Sequence, residues 1–120
     1  MIKGVHALLY TPQTEAVRAF LRDVLGWDHV DDGDGWLIFA LPPTELGVHP
    51  TEGKPAAELY LMCDDIEATV AELTAKGVEF TEPVTDAGWG LLTRFRIAEG
   101  ETMPLYEPRH ASPLPELKRA

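Results

Sequence analysis

The sequence predicts an α+β fold of two pseudo-symmetric βαβββ modules whose strands join in a cupped, eight-stranded mixed sheet. Three observations predict it. A strand candidate followed by an amphipathic helix and a stop glycine occurs twice, at 3–26 and at 57–77. The two stop glycines, Gly26 and Gly77, lie 51 residues apart, close to half of the 120-residue chain. Each is followed by hairpin punctuation: "DDGDG" (31–35) and "PPTE" (42–45) in the first half, "DAGWG" (86–90) and "AEGE" (98–101) in the second.

In the first half, 3–10 "KGVHALLY" suits a strand with Val5, Ala7 and Leu9 on one face and His6, Leu8 and Tyr10 on the other. Thr11 can cap and Pro12 can open the helix that follows, in which Val17, Phe20, Leu21, Val24 and Leu25 recur at helical spacing. Strand candidates 36–41 "WLIFAL" and 45–49 "ELGVH" come next. In the second half, 57–63 is a strand. Asp64 and Glu67 make a capping box, Ile66, Val70 and Leu73 form the helical stripe, and 91–97 "LLTRFRI" and 102–107 "TMPLYE" are strands. The boundaries are module one 1–49, linker 50–55 and module two 56–108, a single domain over 1–108. A tail follows at 109–120, whose two prolines and low apolar content predict extended or loosely packed chain.

Composition narrows the function. The chain is one domain's worth, 45% hydrophobic and 25% charged, and no apolar run approaches the roughly 18 residues a membrane span requires. The start, "MIKGVHALLY", reads as a first strand and not as a signal peptide, so a cytoplasmic protein is expected. A net charge of −10 repels phosphate backbones and argues against nucleic acid as a partner. The single cysteine, Cys63, sits in an apolar strand pattern as a small hydrophobe and forms no internal disulfide. GxGxxG, P-loop, CxxC and GxSxG motifs are all absent, and no organic cofactor is expected.

A βαβββ unit carries its helix on one face of the sheet, so the other face needs a cover, and the sister sheet curling over it makes a cup suited to a small molecule. Strand alternation aims side chains into that cup. His6 shares a face with Leu8 and Tyr10, away from the helix-facing set. Glu58 shares one with Tyr60 and Met62, opposite Leu59, Leu61 and Cys63. By the same count Glu45 lies with Gly47 and His49, and Pro104 with Thr102 and Tyr106.

The stretches "VHALLYTPQTEAVRAFLRDVLGW" and "ELYLMCDDIEATVAELTAKGVEF" resemble the vicinal oxygen chelate superfamily of glyoxalase I, fosfomycin-resistance proteins, extradiol dioxygenases and bleomycin-binding proteins. The ending "FLRDVLGW" is similar to the family's "FY..VLGF", and the resemblance runs over about 1–108. It implies metal ligands at His6, Glu45 and Glu58, with Pro104 standing where a fourth, usually a glutamate, is expected. Two carboxylates and an imidazole suit Fe²⁺, Mn²⁺, Ni²⁺ or Zn²⁺ with positions left open for substrate. Glu45 or Glu58 would also act catalytically by shuttling a proton. The implied function is a metal-dependent enzyme, of lyase, isomerase or dioxygenase type, on a small oxygen-bearing substrate. The alternative is a metal-free protein that sequesters a drug-like or antibiotic ligand. A homodimer is the family's common state.

Each residue has a blander reading. His6 suits an ordinary strand histidine, Glu58 a wet strand end, and Glu45 a turn acid. His49 is a rim residue or a substitute ligand. Glu107 could replace Pro104 as a ligand, yet odd spacing puts it on the opposite strand face unless a bulge intervenes. The candidate pocket residues are His49, Tyr60, Trp89, Arg94 and Tyr106. Trp89, between Gly88 and Gly90, could serve as a glycine-hinged lid. Arg94 or Arg96 could pair a substrate carboxylate or merely the surplus of surface acids.

Overall fold

A computed structural model of the chain describes residues 6–31, 33, 35–54 and 56–115. Residues 3–5 of the first expected strand, Asp32 and Asp34 of the first turn, Pro55 of the linker and 116–120 of the tail lie outside the described residues. The fold is α+β, with a two-stranded and a four-stranded sheet.

The second half folds as its pattern predicts. Strand β3 (Leu61–Met62) leads to helix α2 (Ile66–Ala75), then to β4 (Phe80–Asp86), β5 (Gly90–Ala98) and β6 (Glu101–Pro108). The sheet order is β3-β6-β5-β4, with β3 parallel to β6 and the other pairs antiparallel, so the sheet is mixed. Gly77 ends α2 at φ 88°, where a side chain would be strained. The N-cap is Asp65 rather than Asp64: its carboxylate accepts from the Ala68 amide at 3.1 Å. The neighbouring Ile66 amide donates to Glu107 Oε1 at 3.1 Å, so Glu107 serves the helix side of the sheet as its odd spacing requires.

The first half is looser. Helix α1 (Thr14–Ala19) continues as a π-helical turn over Phe20–Val24. The chain then makes a hairpin of β1 (His29–Asp31) and β2 (Leu37–Phe39) across the "DDGDG" turn. Thr11 does not cap α1. Its hydroxyl accepts from the Gln13 amide at 2.9 Å and donates to Glu101 Oε2 at 2.7 Å, so the helix begins only at Thr14. Among the described residues 6–10 and 45–49 form no strand, and of 57–63 only Leu61 and Met62 do. Among the described residues six strands are therefore formed where eight were expected. Pro42, Pro43 and Pro50 remove ladder donors around 45–49, and Gly47 weakens its middle.

One core serves both halves. Val17 of α1 joins Ile66 and Leu73 of α2, Phe95 and Ile97 of β5, and Met103 and Leu105 of β6. Phe95 is fully buried between Phe20 and Phe80, at ring distances of 5.8 and 5.7 Å. Both helices thus cover the same face of the four-stranded sheet, and the functional question moves to the other face.

Candidate functional site

Alternation along β5 and β6 defines the face turned away from the helices. Thr93, Phe95 and Ile97 are buried on the helix side, which leaves Leu92, Arg94 and Arg96 on the other. Across the ladder Leu92 pairs with Tyr106, Arg94 with Pro104 and Arg96 with Thr102, and Met62 of β3 pairs with Tyr106 from the other edge. Tyr60, two residues before Met62, falls on the same side. Leu61 and Cys63 pack against the core, as the alternation required, and burial pushes the Cys63 thiol up.

Three aromatic rings converge there. Tyr106 lies 5.8 Å from Tyr60 and 5.2 Å from Trp89, and Tyr60 lies 6.1 Å from Trp89, all three edge-to-face. Tyr106 is buried at the base, whereas Tyr60 and Trp89 keep 40% and 44% of their surface open, so they form a wall that a ligand can reach. Burial raises the Tyr60 hydroxyl pKa, as does the Glu58 carboxylate to which it donates, while Arg94 opposes the shift. Burial also raises that of Tyr106, with Glu45 and Tyr60 adding to it.

The backbone of Trp89 is tied to the start of the tail. Its carbonyl accepts from the Arg109 amide at 2.9 Å, and the Arg109 guanidinium binds Asp86 Oδ2 at 2.7 Å, across the β4–β5 turn. A Cβ on Gly90 would fall 2.8 Å from the Glu107 carbonyl oxygen and 3.1 Å from the Tyr106 ring, so this turn can lie against β6 only with glycine there. The tail begins as a strap: Arg109 ties down the turn, and the His110 ring lies 5.8 Å from that of Tyr106.

His110 is the site residue that the sequence reading missed. Its Nδ1 lies 2.9 Å from the Ala111 carbonyl, which can only accept, so Nδ1 carries the hydrogen and Nε2 accepts from the Tyr106 hydroxyl at 3.1 Å. The same Nδ1 is 3.8 Å from Glu45 Oε2. The spacing of four between Tyr106 and His110 was visible, but a strand end followed by Pro108 carried no rule that would turn the chain back.

Glu45 reaches this end of the cup with 18% of its side chain exposed, and its Oε1 is buried with no hydrogen-bond partner. An orphaned carboxylate oxygen is what a missing cation or donor leaves behind. The other proposed ligands do not join it. His6 and Glu58 are exposed, and among the described residues no three His, Cys, Asp or Glu side chains are grouped so as to hold a metal ion. As placed, His6, Glu45 and Glu58 do not fit a metal. His49 is exposed and leans over Gly47, outside the aromatic group.

A family model described as the glyoxalase/bleomycin resistance protein/dioxygenase superfamily matches residues 3–108. A manganese-dependent 2,3-dihydroxybiphenyl 1,2-dioxygenase from Geobacillus genomosp. 3 is 30% identical over 124 residues. The match covers 96% of this chain but only 39% of the relative's length. A member of the same superfamily from Sphaerobacter thermophilus is 25% identical with a TM-score of 0.60, over 88% of this chain and 98% of that one. TnmS3, an antibiotic binding protein from Streptomyces sp. CB03234, shares the fold at a TM-score of 0.63 and 24% identity, over 89% of this chain and 97% of that one. No helix among the described residues is long and apolar enough to cross a membrane.

Proposed function

Because the chain belongs to the glyoxalase/bleomycin resistance protein/dioxygenase superfamily, we propose that it is a cytoplasmic small-molecule-binding protein that holds a planar aromatic ligand against the Tyr60–Trp89–Tyr106 wall. The observation that carries this reading is the convergence of three rings on one sheet face, two of them open to a ligand. Aromatic side chains lose little entropy on binding and supply large apolar area. Glu58 is engaged by the Tyr60 hydroxyl and so buttresses the wall, and Glu45 lies at the same end of the cup, beside His110.

The test is calorimetric titration with a neutral bicyclic probe, 1-naphthamide. Saturable binding that weakens at least about tenfold in Trp89→Ala is the expected result. No saturable binding to the wild type overturns the reading.

A second reading, metal-dependent chemistry with His6, Glu45 and Glu58 as ligands, is favoured by the manganese-dependent relative and by the orphaned Glu45 oxygen. It requires movements that bring His6 and Glu58 to Glu45. Metal analysis after offering Fe²⁺, Mn²⁺, Ni²⁺ and Zn²⁺ decides it: one tightly held ion per chain, lost in the His6→Ala/Glu58→Ala variant, supports this reading.

A homodimer belongs to the proposal. Leu8 and Tyr10 stand 67% and 85% exposed and Leu46 and Val48 88% and 86%, on two segments with strand-like alternation and no strand partner among the described residues. A second copy of the chain, bringing the same two segments, is the occupant that a two-fold arrangement supplies.

A further inference from the structure

Arg94 stands in the middle of the cup face without a counter-ion among the described residues. The chain carries 20 acids against 10 Lys+Arg, so an arginine that makes no ion pair is the exception that needs a reason. The ion pairs of the described residues take Arg18, Arg22, Arg96 and Arg109, and Arg94 is left out of them. Its cross-strand neighbours explain how. Pro104 on β6 offers no charge, and Glu82, opposite on β4, makes no ion pair with it. The Arg94 Nε donates to Thr102 Oγ1 at 3.1 Å, which orients the guanidinium and leaves both terminal NH₂ groups without a partner among the described residues. The side chain is half-buried and lies on the same sheet face as the aromatic wall, two residues along β5 from Leu92, the cross-strand partner of Tyr106.

We infer that Arg94 is the anion anchor of the cup and that the ligand is a planar aromatic carrying a carboxylate. Its ring would lie on Tyr60 and Trp89 and its two oxygens would meet the two Arg94 NH₂ groups. A guanidinium held through Nε keeps its outer edge for a bidentate contact, which a lysine could not reproduce. Arg96 is the internal contrast: two residues along the same strand face, it is taken by the surface acid Glu79 at 3.1 Å. The inference rests on the aromatic-wall reading and adds the ligand's charge to it.

The experiment compares calorimetric titrations of 1-naphthoate and 1-naphthamide, equal in ring but different in charge, against wild type, Arg94→Gln, Arg94→Lys and Arg96→Gln. Wild type is expected to prefer naphthoate by at least about tenfold, with the preference shrinking at high salt. Arg94→Gln should abolish the preference while holding naphthamide affinity within about twofold, which also shows that the variant is folded. Arg94→Lys should fall between, and Arg96→Gln should behave as wild type. A preference that survives Arg94→Gln, or that Arg96→Gln removes equally, overturns the inference. Equal binding of both probes by wild type overturns it too but leaves the aromatic wall standing, whereas binding of neither removes the wall and the inference together.

Discussion

Asp86 shows how one carboxylate organises the rim of the cup. It accepts from the Gly88 amide at 2.8 Å and from Arg109 at 2.7 Å, and the first of these, then the second, lowers its pKa below the ordinary carboxylate value. The folded state therefore binds fewer protons here than the unfolded chain does. The stabilisation is fully present above the unfolded value of about 4, and it is lost as pH falls through the lower folded value. In urea melts Asp86→Asn should be less stable than wild type at neutral pH, with the gap closing below about pH 4. A gap that is constant down to pH 2 would show that the Arg109 clasp contributes no proton linkage. The same clasp bears on Trp89. Its glycine neighbours were legible as a hinge, but the Arg109 amide that binds the Trp89 carbonyl lies 20 residues along the chain and leaves no local trace.

At the level of elements, module two was readable because each local signal agrees with the next. A capping acid, an apolar stripe of Ile66, Val70 and Leu73, a glycine stop and then alternating strands leave little freedom. Replacing Asp65 by Ala should cost about 1 kcal/mol through the lost cap. Gly90→Ala should cost about 1–3 kcal/mol, because the new methyl meets the Glu107 carbonyl rather than a side chain that can turn aside. Denaturant midpoints check both, and a Gly90→Ala midpoint equal to wild type would mean that the β5–β6 approach is slack. Module one was less readable for the opposite reason. Its expected outer strands, 3–10 and 45–49, carry the right alternation, but a strand forms only where another chain segment supplies hydrogen bonds, and pattern alone does not say which segment that is.

Across the whole molecule, the unpaired segments carry the dimer prediction. Sedimentation velocity should show a dimer at micromolar concentration, shifted to monomer by Leu46→Asp/Val48→Asp. A wild-type monomer up to about 100 μM would assign those side chains to another role, since interfaces of standard size hold partners more tightly than that. The sequence by itself determined the fold class, the βαβββ order of the second half, and the sheet face on which Tyr60 and Tyr106 sit, because period-2 alternation and short-range stop signals are local physics. Only the tertiary structure decided which side chains meet. It drew His110 back onto Tyr106, put both helices on one face of one sheet, grouped no three of the described His, Cys, Asp and Glu side chains to hold a metal ion, and gave Arg96 a carboxylate while leaving Arg94 without an ion pair among the described residues. Each of these is a contact between residues distant in the chain or dependent on a turn's exact path, and its energy is set by geometry that no spacing rule encodes.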